Sequence, residues 1–165
     1  QMTISNQHTT QDSSGVNGTG RIENFVFADG TVWTALDVDN RLLVGAQSPG
    51  NDDVRGYETA DTLDGGTGND TLHGLRGDDT YIFGRGYGHD TIDEDNNPHG
   101  DLGDRLVFRD GVAPTDIEIV RSGDDVTLKI IGTNDQVTIY RQLWSTDSAS
   151  VLGQNRIEKI GRAHV

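Results

Sequence analysis

Gly65-Gly66-Thr67-Gly68-Asn69-Asp70-Thr71-Leu72-His73 is the stretch whose reading decides the fold. It divides into a six-residue turn and a three-residue strand. The glycines admit the positive φ values that a tight turn needs. In the strand one side chain, Leu72, is expected to point inward, while Thr71 and His73 face outward.

The pattern repeats on both sides. Written in nines, the chain runs QSPGNDDVR (47–55), GYETADTLD (56–64), the quoted unit, and GLRGDDTYI (74–82). After two extra residues it continues RGYGHDTID (85–93). The sixth place holds Asp52, Asp61, Asp70, Asp79 and Asp90, and the eighth holds Val54, Leu63, Leu72, Tyr81 and Ile92. The fourth holds Gly50, Gly68, Gly77 and Gly88, with Thr59 the exception. Capping of isolated turns would not impose this fixed period on the acidic residues. Two units make one full coil, and successive coils should stack as parallel strands about 4.8 Å apart.

Stacking brings like charges together. Asp52, Asp70 and Asp90 fall on one side of such a stack, Asp61 and Asp79 on the other. Carboxylates about 5 Å apart repel by roughly 1 kcal/mol in water and by more where the dielectric is lower. A hard divalent cation between the turns converts that repulsion into coordination. Calcium takes six to eight oxygens in flexible geometry, whereas magnesium demands a tighter octahedron and zinc prefers His or Cys. The expected cation pairs are Asp52/Asp70, Asp61/Asp79 and Asp70/Asp90, with Asp104 as a further ligand opposite Asp79. Turn carbonyls would complete the shells, those of Gly65, Gly66, Gly68, Gly77 and Gly88 among them. About three to four calcium ions are implied.

Composition points the same way. The chain has 165 residues, of which 32% are hydrophobic and 22 are glycine, so apolar burial alone is thin support for a fold. Its net charge of −14 repels nucleic acid and anionic membrane surfaces and attracts cations, so no nucleic-acid partner is expected. There is no cysteine, so no disulfide can act as a staple, and a metal is the common substitute. No stretch approaches the ~20 apolar residues of a membrane-spanning helix. Without a visible leader or an initiator Met, the chain reads as a piece of a longer protein.

Residues 1–19 are polar and aperiodic and read as a linker. RIENFVFADGTVWT (21–34) sets Ile22, Phe25, Phe27, Val32 and Trp33 around an Asp29-Gly30 turn, which predicts a hairpin within 20–44. The repeat segment is 45–104, closing in an acidic loop, EDNNPHGDLGD (94–104). Beyond it RLVF (105–108), DIEIV (116–120), VTLKII (126–131) and QVTIYRQLW (136–144) alternate, with turns at SGDD (122–125) and GTND (132–135). These predict an antiparallel meander across 105–160. No segment shows helical periodicity. Arg156-Ile157-Glu158 copies Arg21-Ile22-Glu23, an internal repeat. IGRAHV (160–165) matches the translated read-through of a common sequencing adapter, so 161–165 are set apart as a non-native tail.

Residues 47–93 resemble the RTX (repeats-in-toxin) haemolysin-type calcium-binding nonapeptide, G-G-x-G-x-D-x-U-x, a pattern known among repeat architectures. Gly65 to His73 fits it fully, Leu75 replaces its second glycine, and the units at 47 and 56 are degenerate. Residues 105–160, with DGVAPTDIEIVRSGDDVTLKI, resemble the haemolysin-type domain that follows such repeats, and RIENFVFADGTVWT resembles the tail of a preceding copy. The resemblance implies an all-β fold: a right-handed parallel β-roll of calcium-stacked nonapeptide coils, flanked by antiparallel β-strands. It implies calcium as cofactor, the type I secretion machinery as partner, and a secreted, extracellular or cell-surface location in a Gram-negative bacterium. The segment is then a non-catalytic calcium-binding module. A stretch of a large surface adhesin, or a module of a secreted enzyme or toxin, are the alternatives.

Other signals are weak. Asp37-Val38-Asp39-Asn40 opens like an EF-hand loop, but Leu42 and Ser48 stand where Gly and Glu are required. His73 and His89 read as surface residues with no zinc spacing. Glu94, Asp95 and Asp101 read as a solvated acidic loop or peripheral ligands rather than a catalytic pair. Trp33 and Trp144 read as packing residues rather than a sugar platform.

Overall fold

Alternating Asn24–Val26 (β1) and Val32–Thr34 (β2) pair antiparallel, with Phe25 opposite Trp33. Between them Asp29 Oδ1 accepts the Thr31 N–H at 2.9 Å, and Gly30 takes φ of 87°. This is the hairpin its Asp-Gly signal predicts. A computed structural model of the chain describes residues 22–94, 103–143, 157 and 159–162. It divides into two units, Gln1–Arg41 and Leu42–Val165. The expected linker 1–19, Asp95, Asp101 and Trp144 lie outside the described residues. Phe27 meets Trp33 edge-on at 4.6 Å, and the Arg41 guanidinium lies 3.9 Å from the centre of the Trp33 ring.

Helix α1, Ala35–Gly45, corrects the reading that no segment is helical. Its start is fixed by a reciprocal pair. The Asp37 N–H donates to Thr34 Oγ1 at 3.2 Å, and Asp37 Oδ2 accepts the Thr34 N–H at 2.7 Å. The EF-hand-like Asp37 is therefore a helix cap. Among the described residues no helix is long and apolar enough to cross a membrane.

The rest of the described chain is almost entirely strand. The repeats supply β3 (Asp53–Arg55), β4 (Thr62–Asp64), β5 (Thr71–His73), β6 (Thr80–Phe83) and β7 (His89–Ile92). Downstream follow β8 (Arg105–Phe108), β9 (Ile117–Ser122), β10 (Asp125–Ile130), β11 (Gln136–Ile139) and β12 (Lys159–Arg162). One sheet has the order β3-β5-β7-β11-β10-β9, the other β12-β8-β6-β4. Strands from alternate repeats thus pair in parallel, Val54 beside Leu72 beside Ile92, and Leu63 beside Tyr81 beside Leu106. These eighth-place side chains form the core, each at most 2% exposed.

Two expectations for the downstream region are corrected. RLVF is not a meander strand, because β8 pairs in parallel with β6 and continues the repeat ladder. The cause is legible afterwards: Asp104-Arg105-Leu106 restates Asp79-Thr80-Tyr81, acid then inward apolar residue. The meander is the three strands β9, β10 and β11, and β11 joins the repeat sheet by pairing in parallel with β7. The six-stranded sheet is accordingly mixed. β11 also stops at Ile139, where Tyr140–Leu143 turns away and Arg141 adopts φ of 53°. His73 is buried rather than on the surface, because β5 lies between β3 and β7; His89 is exposed.

Glycine is required at the fourth place by close approach. A Cβ on Gly68 would lie 2.1 Å from the Gly50 carbonyl oxygen of the adjoining coil, and one on Gly88 the same distance from that of Gly68. Leu75, where the pattern has glycine, is held at φ of 75°. A side chain in that region costs roughly 1–2 kcal/mol. Leu75→Gly is therefore expected to raise stability by about 1 kcal/mol. Gly68→Ala should lower it by about 2 kcal/mol or more through the backbone clash. Urea melts at fixed calcium concentration measure both, and a destabilised Leu75→Gly chain would contradict the strain.

Candidate metal centre

The turns preceding each strand bring the predicted acids into two columns. Along one, the Asp52 N–H donates to Asp70 Oδ1 at 2.8 Å and the Asp70 N–H to Asp90 Oδ1 at 3.1 Å. Along the other, the Asp61 N–H donates to Asp79 Oδ1 and the Asp79 N–H to Asp104 Oδ1, both at 2.8 Å. Each column is thus stitched through the repeat period. The structure brings together Asp52/Asp70, Asp70/Asp90, Asp61/Asp79 and Asp79/Asp104. Asp61, Asp70, Asp79, Asp90 and Asp104 are all buried.

The glycines make room for these acids. A Cβ on Gly65 would come within 2.4 Å of Asp70 Oδ2, and one on Gly74 within 2.3 Å of Asp79 Oδ2. Gly66, Gly77 and Gly88 hold positive φ in the same turns. A second column lies beside the first. Asn51 Oδ1 accepts the Asn69 N–H at 2.9 Å, and Asn69 Oδ1 accepts the His89 N–H at 2.8 Å. The fifth place carries Asn twice in the sequence, a signal that the sixth-place period overshadowed.

The end unit differs. Ser48 donates its N–H to Asp52 Oδ2 at 2.7 Å and its hydroxyl to Asp52 Oδ1 at 2.9 Å. Asp52 is therefore already served by protein donors. Asp70 and Asp90 are not: each binds one N–H through Oδ1, and each keeps a buried Oδ2 with no hydrogen-bond partner. An ionised oxygen in that position is costly unless a cation meets it. The all-oxygen donor set suits calcium, which carboxylates and carbonyls ligate, and not zinc.

On the opposite side Asp79, Glu94 and Asp104 present carboxylate oxygens within 4.8 Å of one another, all three buried. Glu94 is 2% exposed, which corrects its reading as part of a solvated loop. The Tyr81 hydroxyl donates to Glu94 Oε1, linking the core strand to the acidic group. Burial first, and then the Glu94 charge, push the Tyr81 hydroxyl well above its ordinary range. Glu94 lies outside the nine-residue period, so spacing gave no sign of it.

The ladder ends where charge ends. β11 sets Val137 opposite Asp90, so no further acid follows on that side. Asp135 instead accepts the N–H groups of Gly86 and Gly88 at 2.9 and 3.0 Å. Burial opposes its ionisation, but those donors outweigh it and hold its carboxyl below the usual value.

Stacked turns, buried acid columns and an oxygen-only donor set define a repeat protein built around cations. Residues 48–81 and 55–89 match the RTX calcium-binding nonapeptide repeat (4 copies), and residues 1–37 match the haemolysin-type calcium binding protein related domain. These two matches support reading the chain as an RTX haemolysin-type calcium-binding repeat protein. Its repeats indicate calcium binding.

Asp90 contributes a pH dependence. Burial, reinforced by the Asp70 and Asp64 charges, raises its carboxyl from 3.8 to about 7. The metal-free fold then holds a proton that the unfolded chain releases. Its stability should fall as pH rises from about 4 to 7, with no further contribution from this group above 7. Calcium affinity should rise across the same window, because the ligand must shed that proton. Thermal melts in calcium-depleted buffer and calorimetric calcium titrations at pH 5 and 8 measure the two slopes. Asp90→Asn should flatten the first.

Proposed function

We propose that this chain is a calcium-driven folding module of a secreted protein. The repeat coils, residues 45–104, form a right-handed parallel β-roll that calcium closes. The hairpin segment 20–44 is the tail of a preceding module, and residues 105–160 are the haemolysin-type cap. Parallel pairing of alternate repeats supports the roll. The observation that carries the function is the pair of buried, unpartnered oxygens on Asp70 and Asp90. The ions would lie between successive turns, held by Asp52/Asp70 and Asp70/Asp90 on one side. Asp61/Asp79 and Asp79/Asp104 would hold them on the other, with Glu94 adding a carboxylate at the last.

The physical consequence is a fold conditional on its ion. The nine-residue units contribute only one or two inward apolar side chains each, while a net charge of −14 resists compaction. Binding free energy then becomes folding free energy. Extracellular calcium modules work in the ~0.1–1 mM range, far above cytosolic calcium. The chain would stay unfolded inside the cell, pass through a type I secretion channel, and fold outside. The absence of cysteine fits a design whose staple is an ion rather than a disulfide.

Adding calcium to the metal-free chain should raise β-structure in circular dichroism. Each site should contribute about 2.7 kcal/mol when calcium stands a hundredfold above its Kd. Asp70→Asn, which touches two sites, should weaken overall calcium affinity by about tenfold or more, since charge count sets affinity. Asp53→Asn, on a side chain 70% exposed, should leave it unchanged. A chain that gains no structure with calcium would defeat the reading.

A further inference from the structure

Asp64 stands at the ninth place of its repeat, where the other units carry Arg55, His73, Ile82 and Asp93, so the period does not require an acid there. It is nevertheless held on every side. Its Oδ1 accepts the Gly66 N–H at 3.2 Å, its Oδ2 accepts from the Arg109 guanidinium, and the Tyr87 hydroxyl donates to it as well. Gly66 belongs to the turn that carries Asp70, and Tyr87 to the turn that carries Asp90. Those two turns meet directly, the Gly68 N–H donating to the Tyr87 carbonyl at 3.0 Å. Asp64 is thus fixed beside the turns of both acids, and its charge opposes the ionisation of each.

Arg109 arrives 45 residues later in the chain. It follows β8, where its N–H donates to the Phe83 carbonyl at 2.9 Å. Its side chain passes Gly84, on which a Cβ would lie 3.1 Å from the Arg109 Cβ and 3.3 Å from Tyr87 Cε2. The Asp64 side chain is 12% exposed and that of Arg109 57%. Both Asp64 oxygens are engaged by protein donors, so Asp64 is placed to act on an ion through its charge and not as a ligand.

We propose that Asp64 and Arg109 form an affinity-setting pair for the Asp70/Asp90 calcium site: Asp64 attracts the ion from outside its ligand shell, and Arg109 attenuates that attraction. The inference rests on calcium being the ion held between Asp70 and Asp90. A carboxylate mostly out of water acts through a lower effective dielectric, whereas an exposed guanidinium is screened by solvent and salt. Asp64 therefore outweighs Arg109, and the pair as a whole favours the ion. An ion pair that only braced the turn would behave differently, because losing either partner would loosen the site in the same direction.

Calcium release from the loaded chain into a fluorescent chelator at pH 8 separates the two cases. The phase belonging to this site is the one that Asp90→Asn speeds. Asp64→Asn, which keeps an acceptor for the Gly66 N–H, should speed that phase about fivefold. Arg109→Met, which keeps the aliphatic stem beside Gly84, should slow it about twofold. The double variant should fall between the two. Arg121→Met removes the same charge from β9, the third strand from β7 and so about 14 Å across the sheet, beyond the ~8 Å Debye length, and should leave the rate unchanged. Circular dichroism in calcium confirms that each variant folds, and Arg109→Gln repeats the measurement should Arg109→Met not fold. Faster release from both single variants, or an unchanged rate in either, would overturn the pair's role while leaving calcium binding intact. A parent chain that takes up no calcium would overturn both.

Discussion

The whole second unit depends on carboxylates stacked one strand spacing apart. Asp70 accepts a hydrogen bond from the backbone of Asp52 and donates its own N–H to Asp90. The same atoms that set the register therefore impose the repulsion. Hydrogen bonds to the acids lower the cost of charge but do not remove it, and Asp90 is still raised to about 7. A fold arranged in this way has two stable answers to its own charge, a proton or a cation. Asp70 is raised as well, again first by burial.

Glycine placement follows from this constraint rather than from flexibility in general. The first place of a repeat clears the carboxylate, as at Gly65 and Gly74, and the fourth clears the carbonyl of the adjoining turn, as at Gly68 and Gly88. A nine-residue unit with two such demands has little freedom left. Departures mark the ends of the array. Ser48 supplies donors to Asp52 in the first unit, and Val137 replaces an acid beyond Asp90. The two ends thus depart from the repeat by different means.

Much of this was legible in the sequence because the period is short and its chemistry repeats. The sixth-place acids, the eighth-place core and the Asp29-Gly30 hairpin all follow from local spacing. What spacing could not show falls into two kinds. The helix Ala35–Gly45 has weak amphipathicity, and its Thr34/Asp37 cap uses Asp where the familiar signal has Glu or Gln. β8 was hidden by a long insertion: Asp104 lies 25 residues after Asp79, so its membership in the ladder depends on a loop whose length breaks the count. Glu94 was hidden for the same reason. It reaches Asp79 and Asp104 by tertiary placement and not by period.

That insertion explains why the two columns are unlike. On the side of Asp52, Asp70 and Asp90, successive acids are supplied by unbroken or nearly unbroken repeats, with the Asp64 charge beside Asp70 and Asp90. On the side of Asp61, Asp79 and Asp104, the chain leaves after β7 and returns at β8, and the departure point places Glu94 beside the column. Three carboxylates then converge there. Tyr81, an eighth-place core residue, is long enough to reach Glu94 and donate to its carboxylate. A leucine or valine, which fills that place in other repeats, has no donor to give. Among the eighth-place residues from Val54 to Ile92 only Tyr81 carries a hydroxyl, and that hydroxyl joins the core to the buried acids Asp79, Glu94 and Asp104.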